Sequence, residues 1–222
     1  QDRILPKMAA GEMIGAFCLS EPDAGSDPGA MRTRAMKTDG GWILNGAKNW
    51  ITNAGVADMY VTFAVSDPDV KYSRGITAFA VMADSDGFRI DALEHKMGMK
   101  GSPTGQPVYE DVFVPDENVI GEVGKGFICA MQTLDRSRLG IAAQAVGIAQ
   151  GATDFAADYA KERIAFGKPI NQLQGIQFKL ADMETKTAAA RELLYRAASM
   201  AETDDPKLGK YSAMAKLFAS DV

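Results

Sequence analysis

Residues 18–31 read CLSEPDAGSDPGAM, an acidic turn bearing glycine and proline that directly follows an apolar run. Three chemistries suit such a turn, and the spacing excludes two of them. A phosphate cradle of the Walker type ends in a lysine followed by Ser or Thr, and no lysine follows Gly25 or Gly29 at that distance. A calcium loop places oxygen ligands at its odd positions and a glycine at the sixth, whereas counting from Glu21 puts Gly25 at 5 and Ser26 at 6. What remains is hydrogen-bond donation. Pro22 biases Glu21 toward an extended backbone. Gly25 can take positive φ, so the turn can present backbone N–H groups and the Ser26 hydroxyl. An ordinary surface turn would have the same features.

Other reactive groups are few. His95 is the only histidine, which excludes a multi-histidine metal site and leaves any Ser-His-Asp arrangement a single ring to use. Its charged neighbours in LEHKMGM place it on a surface strand. The two cysteines, Cys18 and Cys129, sit in apolar contexts (GAFCLS, GFICAM), where reduced, buried thiols are expected. In LDRSR, Asp135 and Arg138 are three apart and share one helix face, the spacing of a solvated ion pair.

The elements that must position these groups change character midway. At 222 residues, 46% hydrophobic and 24% charged, the chain is an ordinary globular protein of one large or two modest domains. No apolar run approaches the ~20 residues of a membrane span. The net charge of -5 argues against a nucleic-acid partner, which needs clustered Lys and Arg. From Met13 to Gly121, MYVTFAVS, GITAFAVMA and VYEDVFVP read as strands, separated by TDGG at 38–41, NG at 45–46, SDPD at 66–69 and DSDG at 84–87. After Pro115 no proline appears until Pro169, and apolar residues recur at helical spacing. A second helical run covers 171–200, and a third follows DDPK. Strands first and helices afterwards predict segregated layers, an α+β arrangement or two adjoining domains, with the boundary near 121–126. The opening at Gln1 and the ending at AKLFASDV read as cut ends.

Taken in order, CLSEPDAGSD, KNWITNAG, SRGITAFAV, KMGMKGSPT, YEDVFVPDENVIG, GKGFICAMQTLDRSR and RIAFGKPINQLQGIQFKLADM resemble the successive signatures of the acyl-CoA dehydrogenase family, over essentially the whole chain. The resemblance implies that residues 1–12 are the tail of an N-terminal helical domain. It makes 13–121 a β-barrel or sheet domain and 122–222 a truncated helical-bundle domain. It also implies FAD as cofactor, an acyl-CoA substrate oxidised to a trans-2-enoyl-CoA, an electron-transferring flavoprotein as acceptor, and a homo-oligomer that is a dimer of dimers. The compartment would be the cytoplasm of a bacterium or the mitochondrial matrix of a eukaryote. An oxidase of the same fold and a non-catalytic CoA-binding relic are the alternatives.

Residue by residue, the same resemblance sets Phe17, Leu19 and Ser20 along the flavin pyrimidine edge, with Gly25 and Ser26 donating to the cofactor. Fixed donors there suit a ring that gains negative charge on taking up a hydride. Trp50, Ile51 and Thr52 would meet the isoalloxazine, although aromatic and β-branched residues beside a hairpin are also ordinary core. Arg163, Phe166 and Gln174 would reach the FAD of a neighbouring subunit. Ala165 stands where a polar residue is common, so the resemblance does not carry that cofactor hydrogen bond over to this chain. Ser26, Ser73, Asp135 and Arg138 would bind the CoA part of the substrate. No catalytic residue is expected within the chain. Ser137 occupies one of the family's two positions for the glutamate base, and a hydroxyl without an adjacent histidine cannot act as that base. The base is therefore expected beyond Val222.

Overall fold

The computed structural model of the protein describes residues 1–70 and 72–222, the side chains of 72 and 73 excepted, so the expectation for Ser73 lies outside the described residues. The chain divides into two compact units, Gln1–Ala130 and Met131–Val222.

The first unit opens with a short helix, α1 (Leu5–Ala9), and is otherwise a mixed sheet. Its strands are β1 (Gly15–Cys18), β2 (Arg34–Thr38), β3 (Gly41–Ala47), β4 (Ile51–Thr52), β5 (Met59–Val65), β6 (Ile76–Met82), β7 (Phe88–Leu93), β8 (Thr104–Pro115) and β9 (Val119–Ile120). They run in the order β4-β8-β3-β2-β5-β6-β9, with β1 added in parallel to β5 and β7 added to β8. The turn signals act largely as read. Asp39-Gly40 closes the β2–β3 hairpin, while SDPD and DSDG separate β5, β6 and β7. Asn45-Gly46 is the exception: it lies inside β3 as a register shift against β8 and makes no turn. Gly46 has φ +147°, and a Cβ there would sit 2.6 Å from the Thr33 hydroxyl, so the irregularity requires glycine. His95 is also off its expected place, exposed two residues beyond the end of β7.

The alternating faces of these strands enclose one core, built from Cys18, Trp42, Leu44, Ile51, Tyr60, Phe79, Tyr109, Val112 and Val114 among others. Tyr60, Phe88 and Tyr109 pack with ring centroids 4.6 and 5.3 Å apart. The Tyr109 hydroxyl meets Thr62 Oγ1 at 2.8 Å, which satisfies two buried polar groups at once. Burial pushes the Cys18 thiol up to about 12, so it stays a neutral core residue and not a nucleophile.

One charged contact lies inside this apolar unit. Lys48, 1% exposed, donates from Nζ to Glu21 Oε1 at 2.9 Å and to the Leu19 carbonyl at 3.2 Å. The Glu21 carboxylate also accepts from the N–H of Arg32 at 2.6 Å and of Thr33 at 3.1 Å. Burial by itself would raise the Glu21 carboxyl. The Lys48 charge and the two main-chain donors more than offset it, and the group is held below its ordinary value. Burial lowers the Lys48 amine, opposed by the Glu21 charge.

In the second unit, the long helix α2 (Gly126–Glu162), which begins in the first, leads into a two-stranded hairpin, β10 (Ile164–Ala165) and β11 (Lys168–Pro169). Helices α3 (Gln174–Glu202) and α4 (Leu208–Asp221) follow, the latter after DDPK. Ala142 and Val146 of α2, Ala190, Leu194 and Ala197 of α3, and Ala215 and Ala219 of α4 form its core, in which the five alanines let the helices approach closely. The α+β class read from the order of strands and helices is the class observed.

Removing one partner of a buried ion pair strands the other charge without water. Lys48→Met is therefore expected to destabilise the protein by about 3–5 kcal/mol, and the neutral pair Glu21→Gln/Lys48→Met by much less. Because Glu21 is lowered in the folded state, its contribution is present above the unfolded carboxylate pKa and is lost as pH falls through the folded value. Chemical denaturation at neutral and acidic pH checks both statements. Equal losses in the single and double variants would contradict the first.

Candidate functional site

The Glu21–Lys48 contact ties the turn at 18–27 to the strap at 48–52. Lys48 Nζ holds the Leu19 carbonyl, and the Asn49 N–H donates to the Ser20 carbonyl at 2.9 Å. The turn is closed by Glu21 and Ala24, whose N–H and C=O groups bond reciprocally at 3.1 Å. Asp27 accepts from the Gly29 N–H and ends it. Gly25 does not take the positive φ expected of it, and a Cβ there would meet nothing within 4 Å. The close of the turn at Pro22 and Asp23 supplies the reversal instead.

Along the strap, Trp50 adopts φ +60° and is 62% exposed. Its N–H is taken by the Asn49 side-chain oxygen at 3.0 Å. Ile51 points into the core and is the ordinary strand residue that the alternative reading allowed. Thr52 is exposed on β4, and Asn53 closes the strap with its side-chain amide on the Gly15 carbonyl at 3.0 Å. Phe17 packs edge-on against Phe63, with centroids 5.0 Å apart.

This arrangement leaves donors unused. Among the described residues the N–H groups of Leu19 and Ser20 donate to no carbonyl or side chain, although Leu19 is buried. The hydroxyls of Ser20, Ser26 and Thr52 have no partner there either. Buried main-chain donors are seldom left unpaired. A flat ligand rich in acceptors, lying against an exposed indole, is the chemistry that would use these groups, and the flavin ring of FAD fits that description.

In the second unit, Arg163 follows α2 and its exposed guanidinium makes no ion pair among the described residues. Phe166 stands at the tip of the β10–β11 hairpin with φ +52° and 91% of its surface exposed. Gln174 is exposed as the first residue of α3. Asp135 and Arg138 are paired with each other across one turn of α2, both about one-third exposed. The Asp135 carboxylate faces Gly209 of α4, where a Cβ would come within 3.2 Å of it. The Ser137 hydroxyl is bonded back to the Leu134 carbonyl at 3.3 Å.

Two residues at the centre of the first group were not anticipated. Glu21 and Lys48 are charged, and charge normally reads as surface. The signal available was the presence of opposite charges in the two segments that the resemblance brings to one cofactor. A cavity of about 550 Å³ between α1 and strands β5, β6 and β9 shares no residue with either segment. Among the described residues no cluster of His, Cys, Asp and Glu is placed to hold a metal ion. No helix there is long and apolar enough to cross a membrane.

Comparison with known proteins bears on the fold and the family. Residues 16–112 match the family described as "Acyl-CoA dehydrogenase, middle domain", and residues 124–222 match "Acyl-CoA dehydrogenase, C-terminal domain". An acyl-CoA dehydrogenase of Bacillus subtilis is 48% identical over 99% of this chain, which spans 57% of that relative's length. The butyryl-CoA dehydrogenase of Megasphaera elsdenii superposes with a TM-score of 0.95 at 46% identity, over 99% of this chain and 57% of the other. PigA, solved with FAD and proline, superposes with a TM-score of 0.96 at 31% identity, over 99% and 57%. With both of its halves matched and its sheet and helices superposed, the chain belongs to the acyl-CoA dehydrogenase family.

Proposed function

We propose that the protein carrying this chain is a FAD-dependent acyl-CoA dehydrogenase that converts an acyl-CoA thioester to a trans-2-enoyl-CoA. In this reading it delivers electrons to an electron-transferring flavoprotein and works as a homo-oligomer in the cytoplasm or the mitochondrial matrix. The observation that carries the reading is the set of unused donors at Leu19, Ser20, Ser26 and Thr52 beside the exposed Trp50 indole, joined by one buried ion pair. FAD, when bound, supplies the acceptor for the hydride that leaves the substrate β-carbon.

The chain's own residues have separate tasks. Phe17, Leu19 and Ser20, with Gly25 and Ser26, hold the cofactor's polar edge, and fixed donors of this kind need no reorganisation during reaction. Trp50 and Thr52 form its other wall, to which Ile51, its side chain buried in the core, gives main-chain contacts only. Arg163, Phe166 and Gln174 serve the cofactor of a neighbouring copy, Arg163 through the donor fork that suits a pyrophosphate. Ser26 meets the pantetheine arm, and Ser73, Asp135 and Arg138 the nucleotide end of CoA, where the Asp135–Arg138 pair exchanges its mutual contact for the ligand.

Proton removal requires a carboxylate raised toward neutrality. Glu21 is the buried carboxylate of this region, and it is shifted the opposite way. Asp135 is engaged with Arg138, Ser137 with its own helix, and Glu162 is exposed at the end of α2. In this reading the base is the glutamate that the family resemblance sets beyond Val222.

Trp50→Ala/Thr52→Ala is expected to weaken FAD binding by about tenfold or more, from the lost ring contact and hydrogen bond. Flavin fluorescence titration measures it, and unchanged affinity would contradict the placement. In anaerobic mixing with acyl-CoA, Glu162→Gln is expected to keep the rate of flavin bleaching within about threefold. A fall of about 10²–10⁴ would instead identify Glu162 as the base.

A further inference from the structure

Beyond the groups that would touch the cofactor, two residues stand behind them. Lys48 Nζ reaches the Leu19 carbonyl, and a trans peptide sets the N–H of the next residue on the side opposite that carbonyl. Holding the Leu19 oxygen therefore turns the Ser20 N–H away from the core, where it finds no acceptor among the described residues. One residue along, Asn49 acts twice. Its N–H fixes the Ser20 carbonyl, and its side-chain oxygen takes the Trp50 N–H. Trp50 sits at φ +60°, a conformation that a bulky residue holds only where its surroundings enforce it. The Asn49 contact and the burial of Ile51 on the far side supply that enforcement.

We propose that Lys48 and Asn49 are positioning residues for the cofactor: together they aim the Ser20 N–H and the Trp50 indole outward, onto the ring the site receives. This rests on the FAD reading above. It makes the buried ion pair part of the binding machinery, because an apolar pair of equal volume would fill the core and leave the Leu19–Ser20 peptide free to rotate.

The test uses the intact protein, stripped of flavin and titrated with FAD while flavin absorbance and tryptophan emission are recorded. Asn49→Ala removes the acceptor for the Trp50 N–H and is expected to weaken FAD binding by about fivefold to tenfold and to shift tryptophan emission. Asn49→Asp keeps an acceptor and should stay within about twofold of the parent. The neutral pair Glu21→Gln/Lys48→Met should keep a melting temperature close to the parent's, yet bind FAD at least about tenfold more weakly and with an altered flavin band. Loss of affinity without loss of stability is the result that a purely structural role would not give. Parental affinity and spectra in both Asn49→Ala and the neutral pair would overturn the proposal. If the neutral pair does not fold, the comparison of Asn49→Ala with Asn49→Asp decides alone, equal affinities counting against us. A parent protein that binds no FAD at all would instead refute the functional reading.

Discussion

A lysine ammonium and a glutamate carboxylate removed from water are the constraint on which the first unit depends. Each charge loses several kcal/mol of hydration on burial, and their attraction offsets that only when the remaining donors and acceptors are also satisfied. Here they are. Glu21 receives Lys48 and two main-chain N–H groups, and Lys48 gives its other contact to the Leu19 carbonyl. Such a contact has direction, which apolar packing lacks. It accepts one register between the turn and the strap and penalises every other.

That register sets the candidate site on the sheet. β1 delivers residues 18–21 from the core, and the irregularity at Gly46 brings the end of β3 to Lys48. The two loops are anchored through Cys18 and Ile51 in the same core as the packed Tyr60, Phe88 and Tyr109 rings. Loops that carry function on a rigid scaffold can leave polar groups unpaired for a ligand, since packing beneath them absorbs the cost. The unused N–H groups and the left-handed Trp50 follow this pattern, and they cluster where the ion pair sits. The helical unit contributes differently. Its alanine-rich core leaves long exposed side chains such as Arg163 and Phe166 at chain reversals, where they reach outward and make no contribution to the core.

Much of this was legible in the sequence because it is local. β-branched runs between turn signals mark β5 and β6, Asp39-Gly40 marks a hairpin, and the stretch from Pro115 to Pro169 free of proline leaves room for α2. The ordered motifs pointed to the family, and they singled out the strap of Trp50 and Thr52 that the proposed reading uses. What escaped was set by tertiary contact. Asn45-Gly46 has the composition of a hairpin turn, but the pairing of β3 with β8 overrides it. Gly25 needs no glycine conformation in the fold, because the reversal falls at Pro22 and Asp23. Glu21 and Lys48 are hidden from hydropathy altogether, since charge in a sequence reads as surface and only the fold shows that the two meet 27 residues apart.

In the proposed reading this ion pair assembles a flavin site from two loops, and a crystal structure of the intact protein with FAD would decide it. The flavin's polar edge is expected against the Leu19 and Ser20 N–H groups and its ring beside Trp50. The Lys48–Glu21 contact is expected intact beneath them, and Arg163 of a second copy on the pyrophosphate. A flavin bound away from these loops, or bound here with Lys48 and Glu21 apart, would contradict it.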